Sequence, residues 1–429
     1  MSDPSTARPI PQYFSGLWHH PAFMKLWVGQ TISAFGSRIT RDGLPLAAIL
    51  VFGATPVQMG LLTAISALPV LILSLIVGAW VDRLPCRPLM LGADLGRMAL
   101  LFLVPLAALS GHLNLSLLIL VATLTNTLGL LFDVAYQSFL PVLVGAEQVV
   151  EGNSKLATTE SLAEIGGPTL AGLLIQLISA PLAIFFDAMS FLVSAISLAL
   201  IHVDESHVKP AQTAESATTL RHEIRNGIQL VAGNPLLRTM VIISSSRAFF
   251  GSFYGALYSL YAIRDLGLSP FVLGVLIGAG GVGSLIGAAL APWLVHRFGL
   301  GRVLRGMLLL SSVGVLTPLA GGPLLLAAAM LMTAQLVNDG AMTVYAINEM
   351  SVRQTAVSEE WLGRTNATFA FMTQVVGPIG ALIAGLLATV FSDRLALAVA
   401  VSGGIAMSLW AARSPLRLAR IGHPPDLVN

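Results

Sequence analysis

Asp42, Asp133, Asp339 and Glu164 are carboxylates embedded in long apolar stretches, and Arg38, Arg41, Asp187 and Arg247 are their candidate charge partners. A charge at membrane depth is costly, so such groups face protein or a water-filled space and mark ion or substrate pathways. Pairing with a cation lowers a carboxylate's proton affinity, whereas apolar burial raises it. A carboxylate that loses its partner when helices move therefore takes up a proton. Asp42, Asp133, Asp339 and Glu164 are the candidates for that chemistry. Asp42 has Arg38 one turn away and Arg41 adjacent. Either the three share a proton site, or Arg41 and Asp42 pin the first span to the sixth through Asp187. Arg247 is the candidate partner of Asp339, in a functional contact or a structural pair. Asp133 lies toward the cytoplasmic end, within reach of Arg83, Arg87 or Arg97, which favours a gating or structural role. Glu160 and Glu164 stand four residues apart on one helical face. Like charges at that spacing repel, so one is protonated or paired with Lys155 or an arginine.

Other chemistry finds no support. The sequence holds no metalloprotease, nucleophile-elbow or phosphate-loop motif and no His/Cys cluster, so no enzyme activity, metal or cofactor is expected. The net charge of +2 gives no reason to expect a nucleic-acid partner.

The elements that must position these groups are membrane spans. The chain has 429 residues, 55% hydrophobic and 10% charged. Its apolar runs of about 20 residues can each cross a bilayer core of roughly 30 Å as a helix, the form that satisfies its own backbone in hydrocarbon. Twelve candidate spans lie between about residues 24 and 412. With both termini in the cytoplasm, Arg264 and Arg394 are the two of 23 Lys+Arg that fall in outside loops, as the positive-inside rule asks. The single cysteine, Cys86, gives no internal disulfide. Residues 1–22 carry four prolines and no apolar core, so no cleavable signal peptide is expected there.

The expected organisation is a cytoplasmic tail at 1–22, a six-helix bundle at 23–202, a cytoplasmic linker at 203–236, a second bundle at 237–412 and a tail at 413–429. In the linker, Leu220, Ile224, Ile228 and Val231 have helical spacing. They form either an amphipathic helix on the inner membrane surface or a plain linker helix.

The halves repeat. Gly78-Ala79-Trp80-Val81-Asp82-Arg83 returns as Pro292-Trp293-Leu294-Val295-His296-Arg297, with Arg83 and Arg297 separated by 214 positions. Gly60 and Gly274 share that offset, and Gly167-Pro168 matches Gly377-Pro378 at 210. A membrane chain built from two similar halves is the plan of a secondary transporter.

On these residues the chain resembles the major facilitator superfamily, from about Phe23 to Ala412. Gly78-x-x-x-Asp82-Arg83-x-x-x-Arg87 is similar to its loop signature between helices two and three, with Pro85-Cys86 where a glycine is common. Gly166-Gly167-Pro168-Thr169-Leu170-Ala171-Gly172 resembles its helix-five antiporter motif. Leu26 to Ser33, Ala93-Asp94-Leu95-Gly96-Arg97 and Phe132-Asp133-Val134-Ala135 resemble the drug:proton antiporter branch that includes macrolide-efflux proteins and the enterobactin exporter.

The resemblance implies an all-α fold of twelve transmembrane helices in two pseudo-symmetric six-helix bundles. Helices one, four, seven and ten would line a central cavity, and two, five, eight and eleven would join the halves. It implies a cytoplasmic gate built from Gly78, Asp82, Arg83 and Arg87, which Asp94 and Arg97 are expected to join. Polarity agrees with the cavity assignment. Gln30, Asn126, Gln137, Gln335 and Asn338 lie on spans one, four and ten, and Phe250, Tyr254 and Tyr258 share one face of span seven. These eight are the substrate-cavity candidates, the aromatics serving as a platform for a greasy substrate or as plain packing.

The leading expectation is an inner-membrane (plasma-membrane), monomeric exporter of amphiphilic drugs, macrolide-like compounds or siderophores, exchanging them for protons. A lysolipid flippase on the same fold is the alternative.

Overall fold

A computed structural model describes residues 16–81, 84–203, 227–414 and 416. The long helices are α1 (Pro21–Phe52), α2 (Pro56–Val81), α3 (Cys86–Leu109), α4 (Leu115–Val144), α5 (Val149–Leu177) and α6 (Ala180–Ala199) in the first half. The second half holds α7 (Pro235–Leu260), α8 (Pro270–Phe298), α9 (Leu300–Leu310), α10 (Leu324–Ala356), α11 (Glu359–Val390) and α12 (Asp393–Arg413). Helix α9 does not stop at Leu310. It passes through a 3-10 stretch, Ser311–Val315, into one more turn, Leu316–Leu319.

Local chemistry sets the ends. Gly53 closes α1 in the left-handed region at φ 62°, where only a residue without Cβ sits at no cost. Asn114, Asn234, Ser269 and Ser392 cap the helices that follow them by accepting from backbone N–H groups. Among the described residues nine helices are long and apolar enough to cross a membrane, and α7 with the bent Gly227–Gly233 turn before it makes a tenth. The remaining two are α1 and α5, whose windows are diluted by the arginines and glutamates read above as functional.

The linker enters the described residues at Gly227. The helix Gly227–Gly233 meets α7 at 106°, and Val231 is buried with Leu236, Leu237 and Met240 of the second half. Val231 thus faces protein, whereas Ile228 on the same face is exposed. Leu220 and Ile224 lie outside the described residues.

Within the first half α1 packs along α5 and α6, and α3 along α4 and α6. In the second, α8 packs along α10, and α7 along α11 and α12. The halves meet chiefly through two helix pairs, α5 with α8 and α2 with α11, with lesser contacts of α7 on α2 and α1, the arrangement implied by the resemblance.

Glycines make those two contacts. A Cβ on Gly60 would stand 2.6 Å from Ala381 O, and one on Gly385 would stand 2.7 Å from Pro56 O. Across the other pair, a Cβ on Gly172 would overlap Pro270 O, and one on Gly274 would overlap Pro168 O. The repeat is therefore structural: Gly60 and Gly274, matched in sequence, occupy matched places in the two contacts. Lipid supplies no hydrophobic drive between helices, so close backbone approach through small residues carries the association.

These contacts lie toward the end of the molecule opposite the start of α1 and the end of α12. Arg264 reinforces that end by donating to Ala54 O at 2.9 Å across the halves, and Phe271 N donates to Gln176 Oε1 at 3.2 Å.

The Gly172 contact generates a prediction. In a Cys86→Ala background, Gly172→Val should lower stability by about 1–3 kcal/mol through overpacking. It should also speed thiol labelling of a cysteine at Leu273, now 1% exposed. Melting and labelling rates equal to the parent's would refute the contact.

Candidate functional site

Two cavities lie in the interior. The larger, about 550 Å³, is bounded by α1, α7, α9, α10 and α12. The smaller, about 170 Å³, lies within the first half among α1, α3, α4 and α5. Arg41 borders both.

The larger cavity gathers most of the predicted substrate residues. Phe250, Tyr254 and Tyr258 form its α7 wall, Gln335, Asn338 and Asp339 come from α10, and Asp42 comes from α1. They converge because residues three and four apart share a helical face. Phe249, Phe250 and Phe253 pack edge to face or tilted, with centroids 5.1 to 6.1 Å apart. The ring of Phe250 enters a slot in α12, since a Cβ on Gly403 would overlap it. Tyr254 donates to Gly314 O at 3.3 Å.

Asp339 is held by two amides. Gln335 Nε2 donates to Oδ2 at 2.7 Å and Asn338 Nδ2 to Oδ1 at 3.0 Å. The expected partner, Arg247, borders the same cavity, but its guanidinium lies over the Tyr345 ring at 5.1 Å. An aromatic face one helix contact away attracts it in place of the carboxylate.

The smaller cavity is polar, with Gln30, Ser33, Arg38, Arg97, Asp133 and Glu160 among its lining. Gln30 Nε2 donates to Ser194 Oγ at 3.1 Å. Here Glu160 and Glu164 of α5 find their partners. Arg38 pairs with Glu160 at 3.2 Å and also with Glu164, while Arg41 reaches Glu164 at 3.4 Å. The arginine is 16% exposed and Glu160 62%, so this mid-span carboxylate looks into open space. Gly167 makes the clamp fit, because a Cβ there would stand 2.6 Å from Arg38 Cβ and Cγ. Gly166 and Gly172 flank it, the first beside Phe35 at 3.4 Å from a would-be Cβ and the second at the contact with α8. Pro168 presents its carbonyl to Gly274.

Several expectations need correction. Asp187 does not pin α1 through Arg41 and Asp42. It is 1% exposed, accepts from Ser190 Oγ at 2.9 Å, and stands where α1 crosses α6 at Gly36; the arginines turn toward α5 because two carboxylates wait there. Arg87, expected at the gate, bonds to the end of α6 in its own half. It donates to Leu198 O at 2.9 Å and Ala199 O at 2.7 Å, where the last carbonyls of α6 lack helical partners. Asp94 and Arg97 form a buried pair within α3, and Arg97 lies over the Phe132 and Phe191 rings at 4.6 and 4.1 Å. Of the remaining gate residues, Gly78 lies in α2, and Asp82 and Arg83 lie outside the described residues. Asn126 ties α4 to α2 by donating to Ser66 O at 3.0 Å, and Gln137 is exposed one turn beyond Asp133; neither borders a cavity described above.

The sequence reading missed the walls from α9 and α12. Ser311, Ser312, Gly314, Ala400 and Gly404 border the larger cavity. Their signal is faint, because small and apolar residues look alike whether they face lipid or a cavity. The pairs Ser311-Ser312 and Gly403-Gly404 were its traces.

The profile of the Transmembrane secretion effector family matches residues 14–421. Macrolide efflux protein A of Streptococcus pyogenes is 21% identical over 385 residues, covering 87% of this chain and 90% of that protein. Multidrug efflux pump Tap of Mycobacterium bovis is 26% identical over 408 residues, covering 92% and 94%. Among solved structures, a bacterial homologue of the iron transporter ferroportin in an inward-facing state matches with a TM-score of 0.71 at 18% identity, covering 92% of this chain and 98% of that one. The nucleoside transporter NupG matches with a TM-score of 0.71 at 12% identity, covering 91% and 98%. Two six-helix halves joined by α2, α5, α8 and α11, and a family match over nearly the whole length, lead to one conclusion: the chain belongs to the Transmembrane secretion effector family of major facilitator transporters.

Proposed function

We propose that the protein exports amphiphilic small molecules from the cytoplasm by alternating access, in exchange for protons. The observation that carries this reading is the larger cavity, with an aromatic wall on one side and Asp339 and Asp42 on the other. Its volume of about 550 Å³ falls in the range of small-molecule sites, roughly 300–1,000 Å³. The efflux proteins among its relatives support the direction.

The positive-inside distribution puts the termini in the cytoplasm. The halves are then tied at the outer end through Gly172, Gly385 and Arg264, and the cavity is reached from the cytoplasm. Export requires those ties to part while the cytoplasmic ends of α2, α5, α8 and α11 come together.

Exchange follows from charge. Among the described residues Asp339 has amide donors and no ion pair, although Arg41 and Arg247 border the same cavity. In a cavity of low dielectric, an uncompensated carboxylate holds a proton or a cationic substrate group, since either removes the cost of the bare charge. Two occupants competing for one carboxylate give antiport. Asp42 is placed differently, beside Arg41 at the border of the two cavities. Arg41 also reaches Glu164, so a movement that loosens one partnership changes the other.

Proteoliposomes with an imposed pH gradient and fluorescent cationic amphiphiles test the reading. Movement should follow the gradient and collapse with a protonophore. Movement that requires sodium and ignores the protonophore would reject proton coupling, and passage of labelled lysolipid alone would replace the reading with lipid transport.

Two variants assign the carboxylates. Asp339→Asn should weaken binding of cationic amphiphiles by about tenfold or more, as expected for a lost charge-assisted contact, and spare neutral ones. Asp42→Asn should abolish gradient-driven export with substrate binding retained. Unchanged export by the latter removes Asp42 from the mechanism.

A further inference from the structure

The larger cavity does not end at the helices that the resemblance places around it. Between α7 and α10 it continues to the peripheral helices α9 and α12. Three observations define the recess. First, α9 leaves α-helical form where it borders the cavity, in the 3-10 stretch Ser311–Val315. Such mid-helix stretches often mark functional positions.

Second, the walls are bare. A Cβ built on Gly404 of α12 or on Gly251 of α7 meets nothing within 4 Å, and both glycines border the cavity. Packing demands no glycine at either place, unlike at neighbouring Gly403, where Phe250 fills the space. Gly314 lies where the three helices meet, with Tyr254 Oη 3.4 Å and Val401 Cγ2 4.0 Å from its would-be Cβ.

Third, the recess holds hydrogen-bonding groups with nothing to bond. Tyr258 is 8% exposed, and its Oη has no hydrogen-bond partner among the described residues. The buried Ser312 Oγ is in the same condition. Both line the cavity. Leaving a buried hydroxyl unpaired is costly, so two of them on the lining of this cavity mark a place for a ligand with polar atoms.

We infer that this recess is a substrate subsite for a flat aromatic group bearing a carbonyl or hydroxyl oxygen, lying between the tyrosine rings of α7 and the glycine backbone of α12, with Tyr258 and Ser312 bonding its oxygen. Rings on one side and bare backbone on the other leave a slot rather than a sphere. Asp339 borders the same cavity, so the ligand spans from a charged end there to its ring in the recess. The inference deepens the exporter reading and rests on it for the word substrate.

The test uses the full chain in nanodiscs and alkyl-trimethylammonium probes ending in phenyl, naphthyl or pyrenyl, each with and without a ring hydroxyl. Wild type should prefer the hydroxyl probes by about fivefold, the worth of one hydrogen bond. Tyr258→Phe with Ser312→Ala should erase that preference and leave the other probes unchanged. Gly404→Leu should weaken the pyrenyl probe at least tenfold and the phenyl probe less than twofold; Gly251→Leu, reaching the same space, repeats the test if the first variant does not fold. Equal weakening of all probes, no hydroxyl preference, or no binding at all would overturn the subsite. Transport by the same proteins separates the two claims. Size-dependent binding without gradient-driven movement refutes the exporter reading and keeps the subsite. Movement indifferent to Gly404 refutes the subsite alone.

Discussion

Carbonyl-to-glycine contact between the two halves is the constraint on which the remaining geometry depends. In lipid, neither half gains by hiding apolar surface from the other, so they adhere only where atoms come within dispersion range. Gly172 and Gly274 on one side, and Gly60 and Gly385 on the other, bring backbones together at Pro270, Pro168, Pro56 and Ala381. Any side chain at these places separates the helices. The two contacts are equivalent under the internal repeat, so neither side of the seam is privileged. Everything inward of them is left free to be cavity.

The charges then divide unequally. The first half satisfies its arginines internally: Arg38 and Arg41 on the glutamates of α5, Arg97 on Asp94 and two phenyl rings, Arg87 on the end of α6. Gly167, the glycine of the antiporter-like motif, contributes by admitting the stem of Arg38. The second half places Arg247 and Arg353 against aromatic faces, at 5.1 and 4.6 Å from the Tyr345 and Phe369 centroids. Asp339 is left in the larger cavity with amide partners alone. The lining of the larger cavity thus comes mostly from the second half, although the sequence repeat made the halves look alike.

The fold was legible because its signals are long and redundant. Apolar runs, the positive-inside bias and an offset of 214 between Gly60 and Gly274 all point to two bundles, and both glycines land on the contact between halves. The cavity was half legible. Polar and aromatic residues on α7 and α10 announce themselves against an apolar background, so Tyr254, Gln335 and Asp339 were found. Partners were not legible, because the direction of a side chain depends on helix rotation that spacing leaves free; Asp187 and Arg247 show this. Gly404 and Ser312 were invisible for a different reason: a cavity wall made by the absence of side chains has no compositional signature.

The 3-10 turn in α9 has a consequence for kinetics. Peripheral helices border the acyl chains, so a recess walled by α9 and α12 lies a single helix from the bilayer interior. Amphiphiles partition into membranes, and each buried methylene adds about 0.8 kcal/mol to that preference. The concentration the recess meets is therefore the one in the leaflet, far above that in water. A site fed from such a reservoir fills without binding tightly, and loose binding speeds departure on the other side. For the exporter proposed above, a broad substrate range and rapid turnover would then share one origin, with the membrane doing the collecting.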